Sequence, residues 1–381
     1  MDFNPSTYKR IAFVSNNAWS VYNFRWDVIQ YLIKNQFEVL VIAPDDDFSH
    51  RLTEIGCQFI PIHFDNKAAK PLADIRFYRE LKQLYKKWKP DFIFHYVVKP
   101  NIYGSLAAAS LGIPSVAVVT GLGYAFAKKN WLNTVVKNLY KFGLKKTREV
   151  WFLNNDDARI FINEKLIPIE KAKVLPGEGV NTNFFKQGSL PHTKKKQPFT
   201  FLMSTRLLRS KGIAIYADAA RILKNKNYDF NCVLIGFFEK NHPDSIHQEE
   251  LDKWQKEGLI KYEGYTDHVK AYLEKADCFV FPSFYNEGVP RSLMEAASME
   301  LPIITAQNRG SKEVVQHELN GFICNSNDPF DLADKMERML NLPETALMEM
   351  GSAGRKLVKQ KFDVRLIIQE YLHTLNKEWI D

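Results

Sequence analysis

Apolar and polar positions along this chain repeat with two periods. Ile11 to Val14 form a short apolar run, Val28, Ile29, Leu32 and Ile33 recur at helical spacing, and Phe37 to Ile42 are apolar again. The strand–helix–strand order continues through CQFIPIHF, a helix from Asp74 to Trp88, PDFIFHYV, the helix NIYGSLAAASLG and the strand PSVAVVT. EVWFLNN and KAKVLPG add two short strands. Residues 186–198, KQGSLPHTKKKQP, hold a glycine, two prolines and a lysine triplet without periodicity, and read as a linker. Alternation then restarts with strands FTFLMST, NCVLIG, IKYEG, DCFVFPS and PIITA separated by helices, and FDVRLIIQEYLHTLNKEW closes the chain as a helix.

Strands alternating with helices at this pace predict parallel sheets covered on both faces. The expected fold class is α/β with two Rossmann-like doubly wound domains facing a cleft, ligands lying at the carboxyl ends of the strands. The expected boundaries are 1–185, the linker 186–198, 199–362, and a terminal helix over 363–381.

Composition adds limits. A chain of 381 residues exceeds one ordinary core, and 45% hydrophobic with 25% charged residues is typical of a soluble globular protein. No apolar run reaches the roughly 18 residues of a membrane span. The start, MDFNPSTYKRIAFV, lacks a signal-peptide pattern. Cys57, Cys232, Cys278 and Cys324 lack metal or redox spacing, which suits buried thiols in a reducing cytosol. The formal net charge of +8 asks for an anionic partner: nucleic acid, a membrane surface or a phosphorylated ligand.

Two loops carry candidate chemistry. In FVFPSFYNEGVPRSLMEA, Glu287 follows a buried strand, Gly288 permits close backbone approach, Pro290 suits a helix start, and Glu295 falls on the second helical turn. The amides of Arg291, Ser292 and Leu293 form a helix N-terminus suited to phosphate oxygens. Three readings fit: a hydrolase acid/base pair, a nucleotide-sugar site, or a strand–turn–helix with two solvated glutamates. In FLMSTRLLRSKGIAIYADAA, Arg206, Arg209 and Lys211 cluster after a strand, suited to a diphosphate or simply to solvent.

STRLxxxKG, EGYTDH, PSxxxEGVPRSLMEA and GSKEVV…NGF, in this order, resemble the donor half of the retaining glycosyltransferases of family four, whose architecture is GT-B. VLPGEGVNTNFF resembles the segment that ends the family's first half. The resemblance implies that Arg206 and Lys211 neutralise the donor diphosphate as it leaves, that Glu287 contacts the transferred sugar, and that the backbone from Gly288 through Val289 and Pro290 to Arg291 lies nearby. It implies that Glu295 binds the ribose hydroxyls, that Tyr265 flanks the base, and that the closing helix crosses back to the first domain. The reaction it implies is retention by front-face attack, with no protein nucleophile, no metal and no cofactor beyond the UDP-sugar co-substrate. GDP is the competing nucleotide.

SNNAWSVYNFR, HYVVKPNIYGSLAAASLGIP and TGLGYAF resemble bacterial transferases that extend polyprenyl-diphosphate-linked sugars. That likeness makes Asn17, Arg25, His95, Lys99, Thr120 and Gly121 candidates for acceptor binding. Many relatives carry a histidine after the strand SVAVV where this chain has Thr120 and Gly121, so histidine assistance there is in doubt.

AKKNWLNTVVKNLYKFGLKKTREV holds seven basic residues and no acid from Ala127 to Arg148. Trp131, Val135, Leu139 and Phe142 share helical spacing, with Lys137, Lys141 and Lys145 on another face and Lys128 and Lys129 ahead of them. This reads as an interfacial helix on anionic lipid, against the alternative of a core-packed helix with a solvated basic face. The protein is therefore expected on the inner face of the bacterial cytoplasmic membrane. PDDDF imitates an Asp-x-Asp metal motif, but its place after the second strand reads as a turn. GLG and GEG lack a dinucleotide fingerprint, so no nicotinamide is expected.

The expected activity is transfer of a hexose or N-acetylhexosamine from a UDP-sugar to a polyprenyl-diphosphate-linked sugar. The alternatives are a UDP-sugar epimerase or hydrolase of the same architecture, or a nucleotide-sugar-binding scaffold. A nucleic-acid binder does not fit, because the basic residues make one loop and one helix, not a continuous aromatic-lined groove.

Overall fold

The structure, a computed structural model, describes residues 9–63, 71–122, 131–188, 198–239, 242–285 and 288–376. Two compact units divide the chain: Met1–Glu178 with Val364–Asp381, and Gly179–Asp363.

The first unit is built on a parallel sheet of β1 (Arg10–Val14), β2 (Glu38–Ala43), β3 (Gln58–Pro61), β4 (Phe92–Tyr96), β5 (Ser115–Val119), β6 (Glu149–Phe152) and β7 (Ala172–Val174), in the order β3-β2-β1-β4-β5-β6-β7. Successive residues of β1 serve opposite faces. Ile11 and Phe13 join one core with Val28 and Ile29, while Ala12 and Val14 join another with Phe77 and Leu81. Both faces are covered, so the strands read as continuous apolar runs with little alternation. The order reverses between β1 and β4, which opens a crevice at their carboxyl ends.

The second sheet contains β8 (Phe199–Ser204), β9 (Phe230–Ile235), β10 (Lys261–Tyr262), β11 (Cys278–Phe281), β12 (Ile303–Ala306) and β13 (Gly321–Cys324), in the order β10-β9-β8-β11-β12-β13. Its switch point lies between β8 and β11, paired through Cys278 with Phe201 and Phe279 with Leu202.

One sequence boundary shifts. The first unit ends at Glu178 and not at 185, because Val180 and Phe185 pack in the second unit's core and the Val180 amide donates to the Phe362 carbonyl at 2.8 Å. Most of the expected linker, residues 189–197, lies outside the described residues. The closing helix, Val364–Asn376, does return to the first unit, where Ile367, Ile368, Tyr371 and Leu375 enter the core beside Phe13. Strand β13 and the helices Pro329–Leu340 and Glu344–Lys361 were not anticipated from the sequence.

Candidate active site

In the second unit the loops after β8 and β11 meet at the switch point and lock together. The Phe284 amide donates to the Ser210 carbonyl at 3.0 Å, and the Ser283 hydroxyl donates to the same oxygen at 3.2 Å. Gly212, at φ +82°, lies so close to Pro282 that a Cβ there would come within 2.3 Å of the Pro282 carbonyl oxygen. Only glycine combines that left-handed backbone with that approach.

A buried polar set supports the second loop from behind. The Asn308 amide group donates to the Ser283 carbonyl at 2.9 Å and its oxygen accepts from the Ser311 amide. Thr305 donates to the Phe281 carbonyl at 2.8 Å. Ser283 and Ser311 belong to the PSxxxEG and GSKEVV segments of the sequence, but none of the four was given a role there.

The three cations of the first loop have different surroundings. Arg209 makes a bidentate pair with Glu250 at 2.8 and 2.5 Å, which anchors the loop and turns this guanidinium away from a ligand role. Asp244 accepts from the Ser210 amide at 3.0 Å and fixes the next residue. Arg206 is half-buried and contacts Glu239 at 2.7 Å through one of its five N–H groups. Lys211 is buried, its ammonium 5.7 Å from the centre of the Phe281 ring.

The helix Arg291–Ser298 starts after Pro290, which makes no side-chain cap of its own. The first-turn amides of any helix point out of its N-terminus without intrahelical acceptors. Arg291 Nε donates to Glu295 Oε1 at 2.9 Å. Burial raises the Glu295 carboxyl above its ordinary value, and Arg291 offsets part of that rise. Val289, Pro290 and Leu293 are buried in the core, so any ligand contact from them is through backbone, while Gly288 and Ser292 are half-buried. Tyr265 is exposed beside Phe237, ring centres 5.8 Å apart, and its hydroxyl donates to Asp267. Glu287 lies outside the described residues.

In the first unit Asn17 and Lys99 follow β1 and β4 at the switch point, and Thr120 and Gly121 follow β5 and are half-buried. Asn17 caps the helix Ala18–Lys34 by accepting from the Ser20 amide at 2.7 Å. Lys99 donates to buried Asp74 at 2.8 Å, and Tyr103 donates to the other oxygen at 3.0 Å. The sequence reading missed Asp74, although a carboxylate on the stripe Asp74, Phe77, Leu81, Tyr85, Trp88 marks a paired charge on a buried face.

Two acceptor candidates are corrected. His95 is fully buried, with Nε2 3.0 Å from the Tyr85 hydroxyl and Nδ1 3.3 Å from the Ser105 hydroxyl. Burial pushes its pKa down to about 3, so it is a neutral core group and presents nothing to a diphosphate. Arg25 is likewise buried. Its NH2 donates to Glu178 at 2.8 Å and its guanidinium lies 4.2 Å from the Tyr96 ring centre. Burial acts to lower its pKa, but the Glu178 charge prevails and holds it above the ordinary value.

Of the basic helix, Trp131–Gly143, Lys128 and Lys129 lie outside the described residues, as does the Trp131 side chain. Tyr140 and Leu144 form the buried side; Val135, Phe142, Lys141 and Lys145 are exposed. Lys137 contacts Glu164 at 2.5 Å, which removes it from the set of lysines facing solvent alone. Asp46 of the acidic turn accepts from the Trp19 and Phe48 amides, both at 2.9 Å, a loop-closing role.

Residues 187–357 match the family described as "Glycosyl transferases group 1", and residues 10–154 match "Glycosyl transferase 4-like". An Escherichia coli UDP-Gal:alpha-D-GlcNAc-diphosphoundecaprenol alpha-1,3-galactosyltransferase is 30% identical over 267 residues, 68% of each chain. This chain belongs to the group 1, family 4-like glycosyltransferases.

Both interlocked loops of this glycosyltransferase, and the Arg291–Ser298 helix, fall inside the 187–357 match. A Campylobacter jejuni N,N'-diacetylbacillosaminyl-diphospho-undecaprenol alpha-1,3-N-acetylgalactosaminyltransferase is 29% identical over 378 residues, covering 95% of this chain and 97% of that one. Among solved structures, Anabaena HepE in complex with UDP-glucose shares the fold at a TM-score of 0.79 and 20% identity, covering 96% of this chain and 98% of that one. The fold is GT-B, as the resemblance implied.

Proposed function

We propose that this glycosyltransferase moves a hexose or N-acetylhexosamine from a UDP-sugar to a sugar carried on a polyprenyl diphosphate, with retention and without a metal. The observation that carries the reading is the interlocked pair of loops at the β8/β11 switch point. They bring Lys211 and Arg206 to the same strand ends as the N-terminus of the helix Arg291–Ser298 and the partly buried Glu295. Cations and amide dipoles serve a diphosphate, while a carboxylate accepts from vicinal ribose hydroxyls. Acceptor chemistry rests on the undecaprenol-linked substrates in the names of the Campylobacter and Escherichia relatives.

In the reaction the bond between the sugar's anomeric carbon and the β-phosphate oxygen breaks. The acceptor hydroxyl oxygen bonds to that carbon on the same face, and the hydroxyl proton passes to the departing phosphate oxygen. Negative charge grows on the diphosphate as it leaves, and Lys211 and Arg206 stabilise it where it develops. Glu287, by the family resemblance, contacts the transferred sugar. Lys99, with Thr120 and Gly121 nearby in sequence order of the strand ends, serves the acceptor. Among the described residues no helix is long and apolar enough to cross a membrane. In this reading the basic helix, with its exposed lysines and apolar side chains, carries membrane attachment. The enzyme then works peripherally on the inner face of the bacterial cytoplasmic membrane.

The test is a panel of UDP- and GDP-sugars, with and without a polyprenyl-diphosphate-linked sugar, in EDTA, read by mass spectrometry. Acceptor-dependent gain of one sugar, with the anomeric configuration read by NMR, is the expected result. Donor consumption without acceptor supports an epimerase or hydrolase instead, and UDP binding without turnover supports a scaffold.

A further inference from the structure

An apolar groove of about 900 Å³ lies in the first unit between the helix Trp131–Gly143 and the turn that follows the helix Asn155–Asn163. Leu166 and Ile167 floor it, and its edges carry two large apolar side chains, Phe142 and Ile169, each 70% exposed. Lys141, Lys145 and Lys165 ring these tips and are exposed. The sequence pattern singled out the helix alone; Lys165 and Ile169 join it only in the fold.

We propose that this groove and its rim dock the protein on an anionic phospholipid bilayer, Phe142 and Ile169 entering the acyl boundary and the three lysines meeting headgroup phosphates. The proposal rests on the reading of a lipid-linked acceptor and names the surface that reaches it. Three observations favour a bilayer as the occupant. Apolar tips set among cations match the layered chemistry of a membrane interface, where apolar groups enter and lysines stay at the phosphates. The charge is one-sided, because Glu164 is engaged by Lys137 and leaves Glu170 as the remaining acid of the turn. A second copy of this chain would bring the same lysines face to face, and like charges repel.

The two halves are held in register before any lipid arrives. Lys171 donates to the Lys145 carbonyl at 2.7 Å and to the Thr147 carbonyl at 2.8 Å, stapling the turn to the end of the helix. Lys171 is therefore a positioning residue, with its ammonium committed to backbone.

The experiment is co-sedimentation of the full chain with vesicles of phosphatidylcholine alone or mixed with phosphatidylglycerol. Binding to the mixed vesicles alone is expected. Ile169→Ser and Phe142→Ser should each weaken it about tenfold, and Lys141, Lys145 and Lys165 changed together to Gln on the order of a hundredfold. Met348→Ser, at an apolar residue 67% exposed in the second unit, should change nothing. Equal binding to both vesicle types, wild-type binding by Ile169→Ser, or an equal loss in Met348→Ser overturns the proposal. Retained transfer by the groove variants to a short-chain, water-soluble prenyl-diphosphate acceptor is expected and separates docking from chemistry; its loss places the groove in catalysis and overturns the docking role. Failure of transfer in the wild type, with the vesicle pattern intact, sinks the function reading and leaves the docking surface standing.

Discussion

Gly212 is pressed against the Pro282 carbonyl, 2.3 Å from where its Cβ would be, and this contact joins the two loops of the proposed donor site. An alanine at 212 must hold φ near +82° and push the β11 loop away. The left-handed backbone costs about 1–2 kcal/mol and the displacement about 1–3 kcal/mol more. Gly212→Ala should lower the second unit's unfolding temperature and weaken UDP binding at least about tenfold. Differential scanning calorimetry and titration calorimetry check both, and unchanged UDP affinity would separate the contact from the site.

Lys211 is buried where the leaving diphosphate is proposed to sit. Lys211→Met keeps most of the stem and removes the charge. It should lower kcat on the order of 10²–10³ with a much smaller change in thermal stability. Arg206→Ala, at a more exposed site, should cost less. Single-turnover kinetics distinguish a lost charge from slowed product release.

Glu295 is raised above its ordinary value by burial, with Arg291 pulling it partly back. A carboxyl with a raised pKa takes up its proton earlier as pH falls. If the ionised form accepts from the ribose hydroxyls, UDP affinity should decline on the acid side before exposed carboxylates titrate. Glu295→Gln should bind UDP roughly tenfold more weakly and flatten this dependence. A pH series of titration calorimetry reads both effects.

How much of this was legible in the sequence depends on sequence distance. Strand ends, Gly288, Pro290 and the Arg206–Lys211 loop are local patterns, and the fold puts them at the β8/β11 switch point as expected. What fixes them is remote: Ser283 reaches Ser210 across 73 positions, and Arg25 reaches Glu178 across 153. No periodicity encodes a partner at that separation. His95 shows the same limit from the other side. A histidine closing a strand reads like a ligand until Tyr85 and Ser105 are found on its two nitrogens. The helix Pro329–Leu340 was locally legible, with Asp328 as cap and Pro329 at its first position.

His95 makes the first unit sensitive to acid. Its folded pKa of about 3 lies below the ordinary histidine value, so the unfolded chain takes up a proton that the folded chain refuses. Stability from this group is complete above about pH 6.5 and is lost as pH falls toward the folded value. Between about pH 7.5 and about pH 5 the loss is about 2 kcal/mol. His95→Gln should be less stable near neutrality but show a shallower decline with acid. Urea titrations followed by circular dichroism at several pH values test it; parallel slopes for both proteins would refute the assignment.

Arg25 and Glu178 form a buried pair that joins the first helix to the end of the first unit, and Arg25 also stacks on Tyr96. Tyr96 in turn shares a hydrogen bond of 2.7 Å with Tyr371 on the returning helix Val364–Asn376. Removing one charge leaves the other buried without compensation, a cost of about 3–5 kcal/mol, whereas an apolar pair of similar volume can recover most of it. Glu178→Gln should therefore loosen the returning helix, and Arg25→Met with Glu178→Leu should restore much of its protection. Peptide-resolved hydrogen exchange over 364–376 is the measurement, because it reports this unit without requiring the whole chain to unfold as one. If the double variant is as unprotected as the single one, the pair has a role that packing cannot replace, and an acceptor contact for Arg25 returns to consideration.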